Sequence, residues 1–127
     1  MREYTIQAIS AFIGGVCSFV FGNLDAFFLV LVALEVIDFL AGVSLAFVEK
    51  KVNSERCFAG LLKKVFILLM VALGQLIDTA TAQDICRNVI IFFYIANEAM
   101  SIVENAGKAG LPVPEKIVNA LEQLKEK

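Results

Sequence analysis

Four apolar runs, each about as long as a lipid bilayer is thick, leave this chain few folds to choose from. A helix needs roughly 20 mostly apolar residues to cross the hydrocarbon. By that measure the sequence predicts spans at about residues 4–21, 26–48, 60–80 and 85–103. The connection between the first two is only GNLD, so those helices must be antiparallel neighbours. The fourth span is closed by NAGKAGLPVP, where Gly110, Pro112 and Pro114 read as stop and turn signals.

Composition removes the water-soluble alternative. The chain is 59% hydrophobic with a mean hydropathy of +0.79, whereas about half of an ordinary soluble domain is apolar. Its charges are too few to clothe a globule and cluster between residues 49 and 64 and after residue 104. The expected fold is an all-α integral membrane protein, one membrane domain over residues 1–127, with a loop at 49–59 and a tail at 105–127. Within the tail, EKIVNALEQLKEK carries Ile117, Val118, Leu121 and Leu124 at helical spacing. It reads as a short amphipathic helix on the membrane surface or against a neighbour, or as a solubilising tail.

Lysine and arginine set the expected orientation. Lys50, Lys51, Arg56, Lys63 and Lys64 lie in or beside the second connection, and Lys108, Lys116, Lys125 and Lys127 lie in the tail; the other two connections hold only Arg87. Both termini are therefore expected in the cytoplasm, with Lys50, Lys51, Lys63 and Lys64 as topology anchors of a multi-pass membrane protein. Arg2 before an apolar run also fits a signal peptide, but no small-x-small cleavage site follows cleanly. The first segment is expected to stay as a membrane helix, with a peripheral amphipathic helix as the alternative.

Several chemistries are excluded. The chain has no histidine, which removes Ser-His-Asp and Cys-His catalysis and most zinc sites. Cys17, Cys57 and Cys86 show no metal or redox spacing, and no phosphate-binding glycine loop is present. A net charge of −2 gives no general attraction to nucleic acid. No enzyme activity, cofactor or metal is expected.

The second span raises the question that carries the functional argument. ALEVIDFLAG sinks Glu35 and Asp38 into a lipid-like run. An acid near mid-bilayer costs about 2.5–3.5 kcal/mol, and each Leu, Ile, Phe or Val returns about 0.3–0.6. Roughly fifteen such residues gain about 6–7 kcal/mol, which the two acids nearly cancel. This helix needs partners or water on one face. Glu35, Asp38, Gly42 and Ala46 fall on a single stripe. Gln75 and Asp78 repeat the pattern in the third span, and Arg87, Tyr94, Asn97, Glu98, Ser101, Glu104 and Asn105 occupy one sector of the fourth.

Such stripes must face other helices or an aqueous lumen. Two readings stay open: hydrogen bonding inside a folded bundle, or a pore or subunit interface built from Glu35, Asp38, Gln75, Asp78, Asn97, Glu98 and Ser101. In the first span Ser10, Gly14, Ser18 and Gly22 recur every four residues, which marks a close-packing face within or between subunits; Gly42 is its counterpart in the second.

Four stretches resemble the toxin-secretion/phage-lysis holins, small membrane proteins encoded beside endolysins in phages of Gram-positive bacteria. They are the D-x-x-x-G of Asp38 to Gly42; KKVNSERCFAGLLKK; GQLID, ending at Asp78; and FYIANEAMSIVENAGKAGLPVPEKI. Together they cover roughly residues 33–120, and the last is the most specific. The resemblance implies a protein that accumulates in the cytoplasmic membrane, forms large homo-oligomers and permeabilises the bilayer to release an endolysin or a toxin. That partner is released rather than bound. Two other classes remain on the residues alone: a small ion-conducting or transport subunit using Glu35 and Asp38, and a non-conducting scaffold or antiholin.

Overall fold

A computed structural model describes residues 1–126, with side chains described through residue 123. Lys127 and the side chains of Leu124 and Lys125, which figured in the reading of the tail, lie outside the described residues. The described chain is helical: α1 Arg2–Phe21, α2 Ala26–Val48, α3 Ser54–Thr81, α4 Cys86–Lys108 and α5 Glu115–Glu126. The first four are long and apolar enough to cross a membrane.

The helix ends are set by capping chemistry. Gly22 closes α1 at φ 78°, a left-handed conformation that costs a residue without a Cβ little. Three residues on, the Asp25 carboxylate accepts from the Phe28 N–H at 2.9 Å and opens α2. Asn53 opens α3 by accepting from the N–H groups of Glu55 and Arg56 at 2.8 and 3.4 Å. That cap corrects the expected boundary. The loop is short, and residues 54–59 of the expected 49–59 loop are the first turns of α3. Likewise α4 runs on to Lys108, past the end expected at residue 103. In both places a polar helical extension projects beyond the apolar stretch.

α4 is the middle of the bundle: it packs along α2 and α3, whereas α2 and α3 scarcely touch. The apolar core, Phe28, Leu31, Val71 and Ile91, lies at the end of the bundle nearer the 22–25 turn. There Gly74 lets α3 approach α4 closely. A Cβ added at Gly74 would sit 2.7 Å from Ile90 Cδ1 and 3.1 Å from the Arg87 backbone. Large apolar side chains such as Phe12, Phe19, Leu29, Leu40, Phe66 and Phe93 point outward, as they should on a surface whose solvent is lipid.

The expected packing row on α1 finds no use within the chain. α1 contacts α3 but has no buried residue. Ser10, Gly14 and Ser18 are exposed, and a Cβ at Gly14 would meet nothing within 4 Å. Gly22 alone of that row is buried, as the turn residue beneath Gln75 and Arg87. On α2, Gly42 faces Asn105 of α4. α5 folds back to contact α4.

Candidate functional site

The polar residues of the three stripes divide into two groups at opposite ends of the bundle. Asp38, Lys64 and Glu98 meet between α2, α3 and α4. The Lys64 Nζ donates to Asp38 Oδ2 at 2.8 Å and to Glu98 Oε2 at 2.7 Å, forming two ion pairs in which the Lys64 side chain is 15% exposed. Each of the three residues lies ten positions from the nearer end of its helix (Val48, Ser54 and Lys108), which is roughly 15 Å of helix. The cluster therefore sits within the apolar stretches, toward the end of the bundle that carries the loop between α2 and α3.

Lys64 here departs from its expected role. It was read as a topology anchor at the membrane surface; its ammonium instead bridges two acids in the interior. Its neighbour Lys63 is exposed, as are Lys50 and Lys51. Bringing two charges out of water is repaid only by close pairing and good hydrogen bonds, and the bridge supplies both to one oxygen of each acid.

The other oxygens fare worse. Glu35 lies one turn from Asp38 on α2 and is 6% exposed. Its Oε1 and the Asp38 Oδ1 are buried without a hydrogen-bond partner. Two carboxyl groups thus share one ammonium with a third one turn away on α2, and two of the three acids' oxygens are left with nothing to accept. Buried polar atoms in that condition cost about 1–3 kcal/mol each. Ser101 and Asn105 continue this polar surface along α4 and help line a crevice of about 460 Å3 between α2 and α3 that has Asp38, Lys64 and Glu98 at its deep end. Asn97, also assigned to the site from sequence, is half-buried on the same helix.

Gln75 and Asp78 belong to the second group, near the short turns. Asp78 accepts from the backbone N–H groups of Cys86 and Arg87, both at 2.9 Å. It thereby caps α4 with a carboxylate where unpaired N–H groups and the helix dipole favour one. Arg87 then reaches to the α1–α2 turn. Its Nε donates to the Phe21 carbonyl at 2.6 Å and its Nη2 to the Asn23 carbonyl at 2.7 Å. The guanidinium also lies 3.4 Å from Asp25 and 5.8 Å from the Phe28 ring centroid. The Phe28 N–H holds the Asp25 carboxyl below its usual range against the opposing effect of burial, with Arg87 adding to it. Gln75 packs against this turn at Gly22. The group is a latch joining α1, α2, α3 and α4, and it keeps Gln75 and Asp78 away from the Glu35, Asp38 and Glu98 cluster.

Among the described residues no group of His, Cys, Asp or Glu has the arrangement of a metal site, and the three cysteines are free thiols. The arrangement can hold charge in the middle of an apolar bundle, and little else chemically.

Four apolar helices around buried ion pairs define a small multi-pass membrane protein. The chain belongs to the bacteriophage holin family, whose model matches residues 15–126. It is similar to an uncharacterized protein of Halalkalibacterium halodurans, 38% identical across 97% of this chain and 96% of that one. An uncharacterized protein of Clostridium acetobutylicum is 36% identical across 87% and 90%. The Bacillus subtilis protein YtkC, also named as uncharacterized, is 32% identical across 99% and 95%. No solved structure matches the chain. The holin family is not an enzyme family.

Proposed function

We propose that the chain acts as a holin: copies self-associate in the bacterial cytoplasmic membrane and permeabilise it, releasing an endolysin or a toxin. The observation that carries this reading is the imbalance at the buried cluster, where Lys64 serves Asp38 and Glu98 while Glu35 Oε1 and Asp38 Oδ1 have no partner. Within one subunit these groups are sheltered but under-satisfied. In an assembly whose α2 and α4 stripes line water, every oxygen would be hydrated and the burial cost would vanish. The cluster thus stores a bias toward an aqueous arrangement. The free face of α1, with Ser10, Gly14 and Ser18 unpacked, supplies a surface for association between copies.

The test is expression in a host that also makes a cytoplasmic endolysin, following turbidity and a membrane-potential dye. Delayed, abrupt depolarisation with lysis is the expected result. Asp38→Leu leaves Lys64 its pair with Glu98 and should still insert, yet abolish lysis or change its timing; unchanged timing would take Asp38 out of the mechanism.

The orphaned Glu35 oxygen also favours a second reading, a small ion-conducting subunit with a carboxylate site. That reading gives depolarisation without lysis. A scaffold or antiholin gives neither.

A further inference from the structure

The crevice between α2 and α3 is hollow for a reason visible in the sequence. Its α2 wall carries Gly42 and Ala46 one turn apart, and its α3 wall carries Gly60. A Cβ at Gly60 would meet nothing within 4 Å. Because α2 and α3 scarcely touch, none of the described residues closes this gap, and at about 460 Å3 it falls in the range of small-molecule sites, roughly 300–1,000 Å3. Arg56 and Lys63 follow i, i+7 on α3 and flank Gly60 on the same face. With Lys51 they put three cations at the mouth, against the single carboxylate of Glu49. Among the described residues none of these three cations has an ion-pair partner. Side chains on a helix lean toward its N-terminus, so Lys63 leans toward the Asn53 end, where its ammonium reaches the headgroup level while its stem stays in the wall. Deeper in, the wall becomes apolar at Phe39, Val43 and Ile67.

We propose that this crevice binds one anionic glycerophospholipid from the leaflet at the basic end of the bundle. Its phosphate lies over Gly60 between Arg56 and Lys63, and an acyl chain runs down the apolar wall to cover the ion pairs of Lys64. Charge complementarity selects this occupant: an anion satisfies the unpaired cations at the mouth, and a hydrocarbon tail suits the wall below them. A zwitterionic lipid would offer the same phosphate but bring a cation of its own beside Arg56, Lys63 and Lys51. The site does not depend on permeabilisation and stands or falls separately from it.

The experiment is native mass spectrometry of the full chain in detergent, supplied with equal amounts of phosphatidylglycerol and phosphatidylcholine. One phosphatidylglycerol should be retained per chain in preference to phosphatidylcholine. An interfacial cation contributes about fivefold to anionic lipid binding, so R56Q/K63Q should weaken retention about 30-fold. Gly60→Leu fills the gap and should abolish retention, with helix content by circular dichroism unchanged. Equal retention of the two lipids overturns the proposal. So does phosphatidylglycerol held undiminished by R56Q/K63Q or by Gly60→Leu, or a lipid-free dimer cross-linked through Gly60→Cys.

Discussion

Lys63 and Lys64 are adjacent in sequence and about 100° apart around α3. That angle sends one to the surface and the other between two acids. A positive-inside count sees only a pair of lysines at the edge of an apolar run, so it assigns both to the surface. The acids in ALEVIDFLAG and ANEAM announced that some compensation must exist, and Glu35, Asp38 and Glu98 were identifiable on that ground. What sequence could not supply was the partner, because three helices had to be placed before a lysine on one could be matched to acids on the other two. Asp78 is the opposite case: an acid near a span end that fits a polar stripe by spacing, but whose oxygens are used on the N–H groups of Cys86 and Arg87. Breaking one side of a buried pair costs about 3–5 kcal/mol, because it strands the charge left behind. Lys64→Met is accordingly expected to destabilise the subunit by about that amount in a sodium dodecyl sulfate titration from mixed micelles. Combining it with Asp38→Leu and Glu98→Gln should recover most of the loss. A single mutant as stable as the parent would mean that the bridge contributes nothing.

Among the elements, the number and order of the spans were legible because lipid imposes a length and a composition that few other environments do. Their ends were not. Hydropathy locates apolar residues, whereas α3 begins where the Asn53 side chain can accept two N–H groups, six residues ahead of the apolar stretch. At 28 residues α3 is roughly 42 Å long, against about 30 Å of hydrocarbon, so its polar first turns project into the interface. Close packing within the subunit was not legible in the sequence either. The Ser10, Gly14, Ser18 row is a better pattern than any other in the chain, yet the close contact within the subunit is made by Gly74, a lone glycine with no repeat to flag it. Gly74→Leu is expected to push α3 off α4, where a rigid backbone lies 3.1 Å from the added Cβ, and to cost about 1–3 kcal/mol in the same titration. Gly14→Leu, with open space around it, should leave the stability of the isolated subunit unchanged. Equal effects at the two positions would contradict the packing described.

Taken whole, the molecule is an apolar exterior around two polar groups of different character. The latch of Arg87 and Asp78 is well satisfied and ties four helices together near the short turns. The cluster of Glu35, Asp38, Lys64 and Glu98 is sheltered but incompletely paired, next to a crevice that the described residues do not fill. The bundle is thus firm at the end of the short turns and hollow at the basic end. The central claim is that the cluster is dry in the dispersed subunit and wet in the permeabilised membrane. Leu31 reports on it, being fully buried and one turn from Glu35 on the same face of α2. With Cys17, Cys57 and Cys86 replaced by serine, Leu31→Cys can be challenged with a membrane-impermeant thiol reagent before and after the onset of depolarisation. We predict negligible labelling beforehand and rapid labelling at onset; a thiol that reacts from the start, or that stays unreactive after the membrane has opened, would contradict the account.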